Sequence, residues 1–194
     1  MTKISQNLSE AVYALIPFTR NYAGELHASE ISRTLGLPQR TIARKLEQLQ
    51  KLNLLNYRKG GRNKYYFLNP GSSSFSLLEI IECYKELAFS IEYPQIYLLL
   101  EELSASKGII LFGSYAKGKA KSSSDIDLVI FARKNQKMTE IIKKYPFEVN
   151  AHFVTLHLFK TRIKENWALA KEIMKDHVLI GEKEKIIKIM MSAK

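Results

Sequence analysis

The chain has 194 residues, which is enough for one ordinary domain or two small ones. Hydrophobic residues make up 46% and charged residues 25% of it, and these proportions of a globular protein exclude a disordered tail and a collagen-like repeat. No apolar run approaches the roughly 18 residues that a membrane-spanning helix needs, and the N-terminus lacks the pattern of a signal peptide. With a single cysteine, Cys83, the composition predicts a cytoplasmic protein without an internal disulfide and without membrane attachment.

The net charge of +11 is concentrated in the first third of the chain. Residues 1–70 hold eleven basic and four acidic residues, a net of +7, and residues 71–194 supply the remaining +4. Such a concentration of positive charge indicates an anionic partner for the N-terminal part.

The first 70 residues show the pattern of three helices followed by a β-hairpin. The first helix is predicted from apolar residues at helical spacing, including Leu8. We expect Ser29 to cap the second helix and Pro38 to occupy the first position of the third. Gly60 and Gly61 lie between two β-prone runs and predict a hairpin turn.

This stretch, from Leu26 to Leu68 and most clearly over residues 28–46, resembles the winged helix-turn-helix family. The resemblance implies binding to double-stranded DNA, with the third helix in the major groove and the hairpin against the phosphates. The candidate contacts on the helix are Gln39, Arg40, Thr41, Arg44 and Lys45. Those on the hairpin are Arg58, Lys59, Arg62 and Lys64, four cations in seven residues with no acid among them. A helical module that binds a protein, or a second copy of the chain, is the alternative.

A change of composition at Asn69 to Ser74, rich in serine and turn formers, predicts a boundary. Beyond it, residues 75–104 show the pattern of two helices with Pro94 between them. We therefore divide the chain into a DNA-binding domain (1–70), a linker with connecting helices (71–106) and a second domain (107–194).

The second domain contains a motif that combines carboxylates with a glycine-serine turn. An apolar run from Gly108 to Phe112 is typical of a buried strand and leads directly into Gly113 and Ser114. Asp125 and Asp127 belong to a second strand, where alternation places both side chains on one face. Paired carboxylates suit Mg²⁺ together with substrate phosphates, and a glycine turn allows the backbone to approach a phosphate.

Residues 111–129, with Gly-Ser followed by Asp-x-Asp between two apolar strands, closely resemble the nucleotidyltransferase superfamily, and specifically its minimal, DNA polymerase beta-like branch. The resemblance covers about residues 107–181 and implies a nucleotidyltransferase-like α/β domain with a small mixed sheet. Together with the winged helix-turn-helix resemblance of the N-terminal part, it predicts the α+β class for the chain. Lys117 departs from the arginine that is more frequent at its position, which keeps the charge but loses bidentate geometry.

The resemblance also implies the roles of individual residues. Asp125 and Asp127 would hold two Mg²⁺ ions, and Glu148, on a later strand, would serve as the third acidic ligand and assist loss of the acceptor's proton. An ordinary solvated glutamate is the alternative for Glu148, and His152 is expected to be a half-buried strand residue. The residues expected to bind the nucleotide are Gly113, Ser114, Lys117 and Ser124.

The sequence after this strand predicts further β-structure from Phe153 to Phe159. From Arg162 to Gly181 it predicts one helix and a short apolar end.

The activity implied is transfer of AMP from ATP to a hydroxyl group, with Mg²⁺ as cofactor. The sequence does not identify the acceptor. Members of the minimal branch often act as antitoxins of HEPN-type toxins, so a toxin protein is one candidate partner. Self-association into a homodimer is another possibility that the sequence leaves open. The alternative is a DNA-binding transcriptional regulator whose second domain only senses a nucleotide or mediates association.

Overall fold

The computed structural model describes residues 12–20, 22, 24–69, 71–104, 108–165 and 167–192. The chain forms two compact units, residues 1–81 and 82–194. Of the residues that predicted the first helix, Leu8 lies outside the described residues, and Leu15 lies in a 3₁₀ helix, Tyr13–Arg20.

The N-terminal unit contains a three-stranded antiparallel sheet in the order β1-β3-β2. The predicted hairpin is confirmed: β2 and β3 are joined by a turn at Gly61 and Arg62, and the positive φ of Gly61 suits a residue without a side chain. The buried side chains of this unit include Ile31, Ile42 and Leu46. The elements are β1 (Leu26–His27), α1 (Ala28–Leu35), α2 (Gln39–Lys51), β2 (Leu55–Gly60) and β3 (Asn63–Leu68).

The start of α1 differs from the prediction, because His27 rather than Ser29 is the cap. The ring Nδ1 of His27 accepts a hydrogen bond from the backbone N–H of Ser29 at 3.2 Å, and the Glu30 carboxylate accepts one from the backbone N–H of His27 at 2.7 Å. This reciprocal capping box places the cap on the last residue of β1, so the helix begins one residue before Ser29.

Two helices follow, as predicted: α3 (Ser72–Glu92) and α4 (Pro94–Ser104). The serine-rich segment is more ordered than its composition indicates, because the helix already begins at Ser72. The buried Ser74 hydroxyl donates a hydrogen bond to the carbonyl of Leu54 at 3.1 Å, which ties the first turn of α3 to the N-terminal unit. No helix in the described part of the chain is long and apolar enough to cross a membrane.

The C-terminal unit is built on a mixed four-stranded sheet in the order β6-β5-β4-β7, which confirms the predicted mixed sheet. β4 is antiparallel to both β5 and β7, and β5 is parallel to β6. All four residues of β4 are buried, as expected for a central strand. The elements are β4 (Ile109–Phe112), α5 (Gly113–Ala116), β5 (Ile126–Ile130), α6 (Gln136–Lys143), β6 (Val149–Phe153), α7 (Leu156–Lys164), α8 (Ala168–Lys175), β7 (Val178–Ile180) and α9 (Glu184–Met191).

The prediction of further β-structure up to Phe159 is wrong, because α7 starts at Leu156. The Thr155 hydroxyl caps this helix by accepting a hydrogen bond from the backbone N–H of Leu158 at 3.1 Å, and Phe159 and Ile163 are buried one turn apart. The single helix predicted after Arg162 is likewise replaced by the end of α7, then α8, and the apolar end forms β7.

Candidate active site

The site is built where β4 ends and the chain turns into α5 at Gly113. The backbone of Gly113 has a φ of +74°, which side chains rarely tolerate. A Cβ built on this residue would lie 2.2 Å from Oδ2 and 3.1 Å from Cγ of Asp127. Gly113 is therefore required for two independent reasons, and its missing side chain leaves the space that the Asp127 carboxylate occupies.

Asp125 and Asp127 lie at the start of β5 and share one face, as the alternation predicts. Both carboxylates accept hydrogen bonds from the same side-chain amide, that of Asn150. The intervening Ile126 and the following Leu128 are fully buried on the opposite face. The strand thus packs its apolar side into the core and presents two half-buried carboxylates on the other side.

The electrostatics of this pair favour a cation. Burial raises the pKa of the Asp127 carboxyl above its usual value; the hydrogen bond from Asn150 lowers it in part, and the nearby charge of Asp125 raises it again. Two hard oxygen donors beside a glycine cradle that a Cβ would fill match the ligand chemistry of Mg²⁺. The residues present therefore fit a magnesium site.

The third acidic residue that the sequence analysis singled out is Glu148. It lies directly before β6, where its backbone carbonyl accepts a hydrogen bond from Ile126 N–H at 2.8 Å, and its side chain is exposed. Among the described residues, no group of three or more His, Cys, Asp or Glu side chains is arranged to hold a metal ion. The role of Glu148 as a third metal ligand therefore stays a prediction.

Asn150 is the site residue that the sequence analysis did not assign. The parallel register pairs it with Asp127, and its Nδ2 lies 3.2 Å from Oδ2 of Asp125 and 3.4 Å from Oδ1 of Asp127. Its position two residues after Glu148, on the same strand face, is the signal that could have found it. His152, next on this face, is exposed rather than half-buried.

Two of the remaining predicted nucleotide-binding residues, Lys117 and Ser124, have side-chain partners within the unit. Lys117 Nζ lies 2.7 Å from Oε1 of Glu172 on α8, and this hydrogen bond raises the pKa of the Lys117 ammonium. The Ser124 hydroxyl accepts a hydrogen bond from the backbone N–H of Lys121 at 2.9 Å, which closes the loop before β5. Ser114 is half-buried in the first turn of α5, directly after Gly113.

The predicted DNA-binding residues divide into two groups on the N-terminal unit. On α2, the side chains of Gln39, Arg40 and Arg44 are exposed, and those of Thr41 and Lys45 are half-exposed.

On the hairpin, two of the four cations are paired with acids that are distant in sequence. Arg58 binds the Glu25 carboxylate through two nitrogens, with a shortest distance of 2.7 Å, and Lys64 Nζ lies 3.1 Å from Oε1 of Glu47. The hairpin tip is thus less positively charged than its local sequence indicates, with the exposed Lys59 and Arg62 as the remaining candidates.

Comparison with known proteins agrees with the geometry of the C-terminal unit. The family model described as "Nucleotidyltransferase domain" matches residues 95–180. The chain is also 35% identical over 75 residues to the "Putative protein adenylyltransferase MJ0604" of Methanocaldococcus jannaschii, an alignment that covers 36% of this chain and 73% of that protein. The chain belongs to the nucleotidyltransferase family. The matched region of the nucleotidyltransferase domain contains both the Gly113 turn and the aspartate pair.

Proposed function

We propose that the protein is a Mg²⁺-dependent nucleotidyltransferase that moves AMP from ATP to a hydroxyl group, with a protein as the acceptor. The observation that carries the proposal is the contact between the Gly113 backbone and the Asp127 carboxylate. It joins the glycine turn, which suits a phosphate, to the carboxylate pair, which suits a metal. The M. jannaschii relative is named as a protein adenylyltransferase, and this name supports a protein as the acceptor.

In the proposed reaction the acceptor oxygen attacks the α-phosphorus of ATP. The bond from this phosphorus to the bridging oxygen breaks, pyrophosphate leaves, and the acceptor oxygen carries AMP. The hydroxyl proton passes to solvent. Mg²⁺, when bound, neutralises charge on the phosphates and stabilises the attacking and leaving oxygens.

The chain's own residues have distinct tasks in this reaction. Asp125 and Asp127 would hold the metal. Gly113 allows the backbone close to the β- and γ-phosphates, and the Ser114 hydroxyl donates to their oxygens. Lys117 and Ser124 border the loop that leads to the carboxylates, and Lys117 supplies positive charge there.

For the N-terminal unit we propose a winged helix-turn-helix domain that binds double-stranded DNA in the cytoplasm. The element order, with α1 and α2 followed by a hairpin in a small antiparallel sheet, supports this fold. Exposed Arg40 and Arg44 on α2 support an approach to DNA. A DNA-binding unit fused to a transferase fits an antitoxin that regulates its own synthesis and modifies a HEPN-type toxin.

A second candidate function is favoured by one specific observation. Among the described residues, the side chain that donates hydrogen bonds to both aspartates is the neutral Asn150, and the Glu148 carboxylate takes no part in these bonds. A site with two carboxylates can bind a metal–nucleotide complex without promoting transfer. The protein would then be a DNA-binding regulator that senses a nucleotide.

One experiment separates the two functions. Full-length protein is incubated with ATP, Mg²⁺ and a purified HEPN-type protein, or with a cell lysate as the acceptor pool, and pyrophosphate release and protein-bound AMP are measured. The transferase proposal predicts both products, and predicts that Asp127→Asn abolishes both. ATP binding without either product supports the sensor instead.

A further inference from the structure

The helix α3 exposes a row of large apolar side chains, which we call the apolar stripe. Of the seven large hydrophobic side chains that are exposed in the described part of the chain, four lie on this helix: Ile80 at 53%, Tyr84 at 52%, Leu87 at 58% and Ile91 at 74%. They follow one another at intervals of four, three and four residues, so they lie along one face of the helix. Single apolar residues on a surface are ordinary, but a row of them marks a place of interaction.

Three charged residues of α3 are turned toward the C-terminal unit instead of solvent. Glu82 is fully buried, and its Oε1 lies 2.9 Å from Nζ of Lys85 and 3.4 Å from Nε2 of His177. Oε2 of Glu86 lies 2.6 Å from Nζ of Lys183, and both of these side chains are largely buried. The helix thus packs ion pairs against its own unit and presents apolar side chains outward, the reverse of an ordinary surface helix.

The surface beside the apolar stripe is also uncharged. Every residue of α3 is described, and its other exposed side chains are small and uncharged, except for Glu92 at the last position. These small side chains are Ser72, Ser73, Ser76, Cys83 and Ala88. A charged partner would find no ionic contact along this face, so the face suits another uncharged apolar surface.

The spacing of the apolar stripe indicates the shape of that surface. Apolar residues at alternating intervals of three and four form the seam of a coiled coil, in which each side chain packs between residues of a facing helix. The α3 helix of a second copy has the same spacing and the same lack of charge, and a two-fold axis allows one surface to be its own complement.

The area of the apolar stripe is consistent with the core of such an interface. Its four side chains expose on the order of 400–500 Å² per copy, about half of the roughly 800 Å² that each partner buries in a stable complex. The small uncharged side chains beside it would extend the contact, as the rim does in other interfaces.

We propose that α3 is the interface of a homodimer, in which the apolar stripes of two copies pack against each other. Formation of this dimer requires neither ATP nor DNA. It is therefore independent of the transferase and DNA-binding activities proposed above.

Sedimentation equilibrium of the full chain over a range of concentrations tests the dimer. The chain has a mass of 22.3 kDa, and the wild type should sediment at twice this mass. Leu87→Glu places a charge in the middle of the seam in both copies, so it should raise the dissociation constant at least about a hundredfold.

Leu158→Glu is the matched control, because Leu158 lies on α7, is 41% exposed and undergoes the same change of residue. It should leave the dissociation constant unchanged. Thermal unfolding of both variants checks their folding.

A wild type that is monomeric at every concentration would overturn the inference, because the apolar stripe would then serve another partner or none. This result decides the question even if Leu87→Glu does not fold. A dimer that is as tight in Leu87→Glu as in the wild type would place the interface elsewhere and would also overturn it, as would an equal loss of association in Leu158→Glu.

Discussion

The carboxylate of Asp127 lies so close to Gly113 that a Cβ on the glycine would be 2.2 Å from Oδ2 of the aspartate. The two residues lie side by side where the end of β4 pairs with the start of β5. Their contact couples the turn that would receive phosphates to the side chain that would hold the metal. A substitution of either residue should therefore affect both phosphate binding and metal binding.

Gly113→Ala tests this coupling. The added methyl group would clash with the Asp127 carboxylate, and a side chain at a φ of +74° strains the backbone. We therefore expect ATP affinity in the presence of Mg²⁺ to fall at least about tenfold. The free energy of unfolding should fall by roughly 1–3 kcal/mol. Gly118→Ala is the matched control, because Gly118 has a φ of +62° but open space around its Cα. It should lose about 1–2 kcal/mol of stability from strain alone and keep its affinity, as calorimetry would show. Equal losses of affinity in both variants would contradict the role of the contact.

Lys117 is held by Glu172, and this pairing should weaken its attraction for phosphate. Removing the negative charge in Glu172→Gln frees the ammonium, so we expect ATP affinity to rise by about two- to fivefold at low salt. Lys117→Met should lower it in the same assay. If Lys117→Met binds ATP as well as the wild type does, Lys117 is not part of the nucleotide site.

The hairpin offers a comparison of paired and unpaired cations on DNA. Arg62 is exposed at the turn, whereas Arg58 is bound by Glu25. Arg62→Ala should weaken binding of the full-length protein to any duplex and reduce the slope of log K against log salt by about one. The double variant Glu25→Gln/Arg58→Ala removes the pair without changing the net charge, and it should have a smaller effect. Fluorescence anisotropy at several salt concentrations measures both, and a salt slope unchanged in Arg62→Ala would argue against the hairpin as a phosphate contact.

The buried Glu82 predicts how stability depends on pH. Burial alone would raise the pKa of its carboxyl. Two nearby groups outweigh burial and lower the pKa to about 2: Nζ of Lys85, 2.9 Å from Oε1 of Glu82, and Nε2 of His177, 3.4 Å from the same oxygen. An unfolded glutamate titrates near 4.5, so the stabilisation is fully present above pH 4.5 and is lost as the pH falls toward 2.

Glu82→Gln should therefore lower the free energy of unfolding at pH 7 by about 3 kcal/mol. It should also reduce the acid sensitivity between pH 4.5 and 2. Urea unfolding at pH 7 and pH 3 measures both effects. Glu184→Gln is the control, because its pair with Lys188 is exposed and should contribute nothing measurable. A Glu82→Gln variant as stable as the wild type at pH 7 would refute the assignment.

Local patterns predicted much of the fold and part of the site. Alternation alone was enough to place Asp125 and Asp127 on one face, since a strand has a fixed period of two. The hairpin at Gly61 and the two helices around Pro94 followed from equally local signals. These predictions depend on residues that are close in sequence.

The features that sequence reasoning missed depend on contacts between distant residues. Asn150 joins the aspartates only because β6 pairs with β5 in one parallel register, which no local pattern specifies. Glu25 neutralises Arg58 from 33 residues away, so the charge of the hairpin could not be judged from its own sequence. The α7 helix overrode a β-prone run because Thr155 caps it and its apolar residues meet the core.

The central claim is that the aspartate pair binds ATP through a divalent metal, and titration calorimetry tests it most directly. ATP is titrated into full-length wild type and Asp127→Asn, each with Mg²⁺ and with a chelator. We expect ATP to bind the wild type only when Mg²⁺ is present. Binding to Asp127→Asn should be at least about tenfold weaker, because the amide keeps the shape of the carboxylate but lacks its negative charge. Equal ATP affinity in the two proteins, or binding to the wild type that the chelator leaves unchanged, would contradict it.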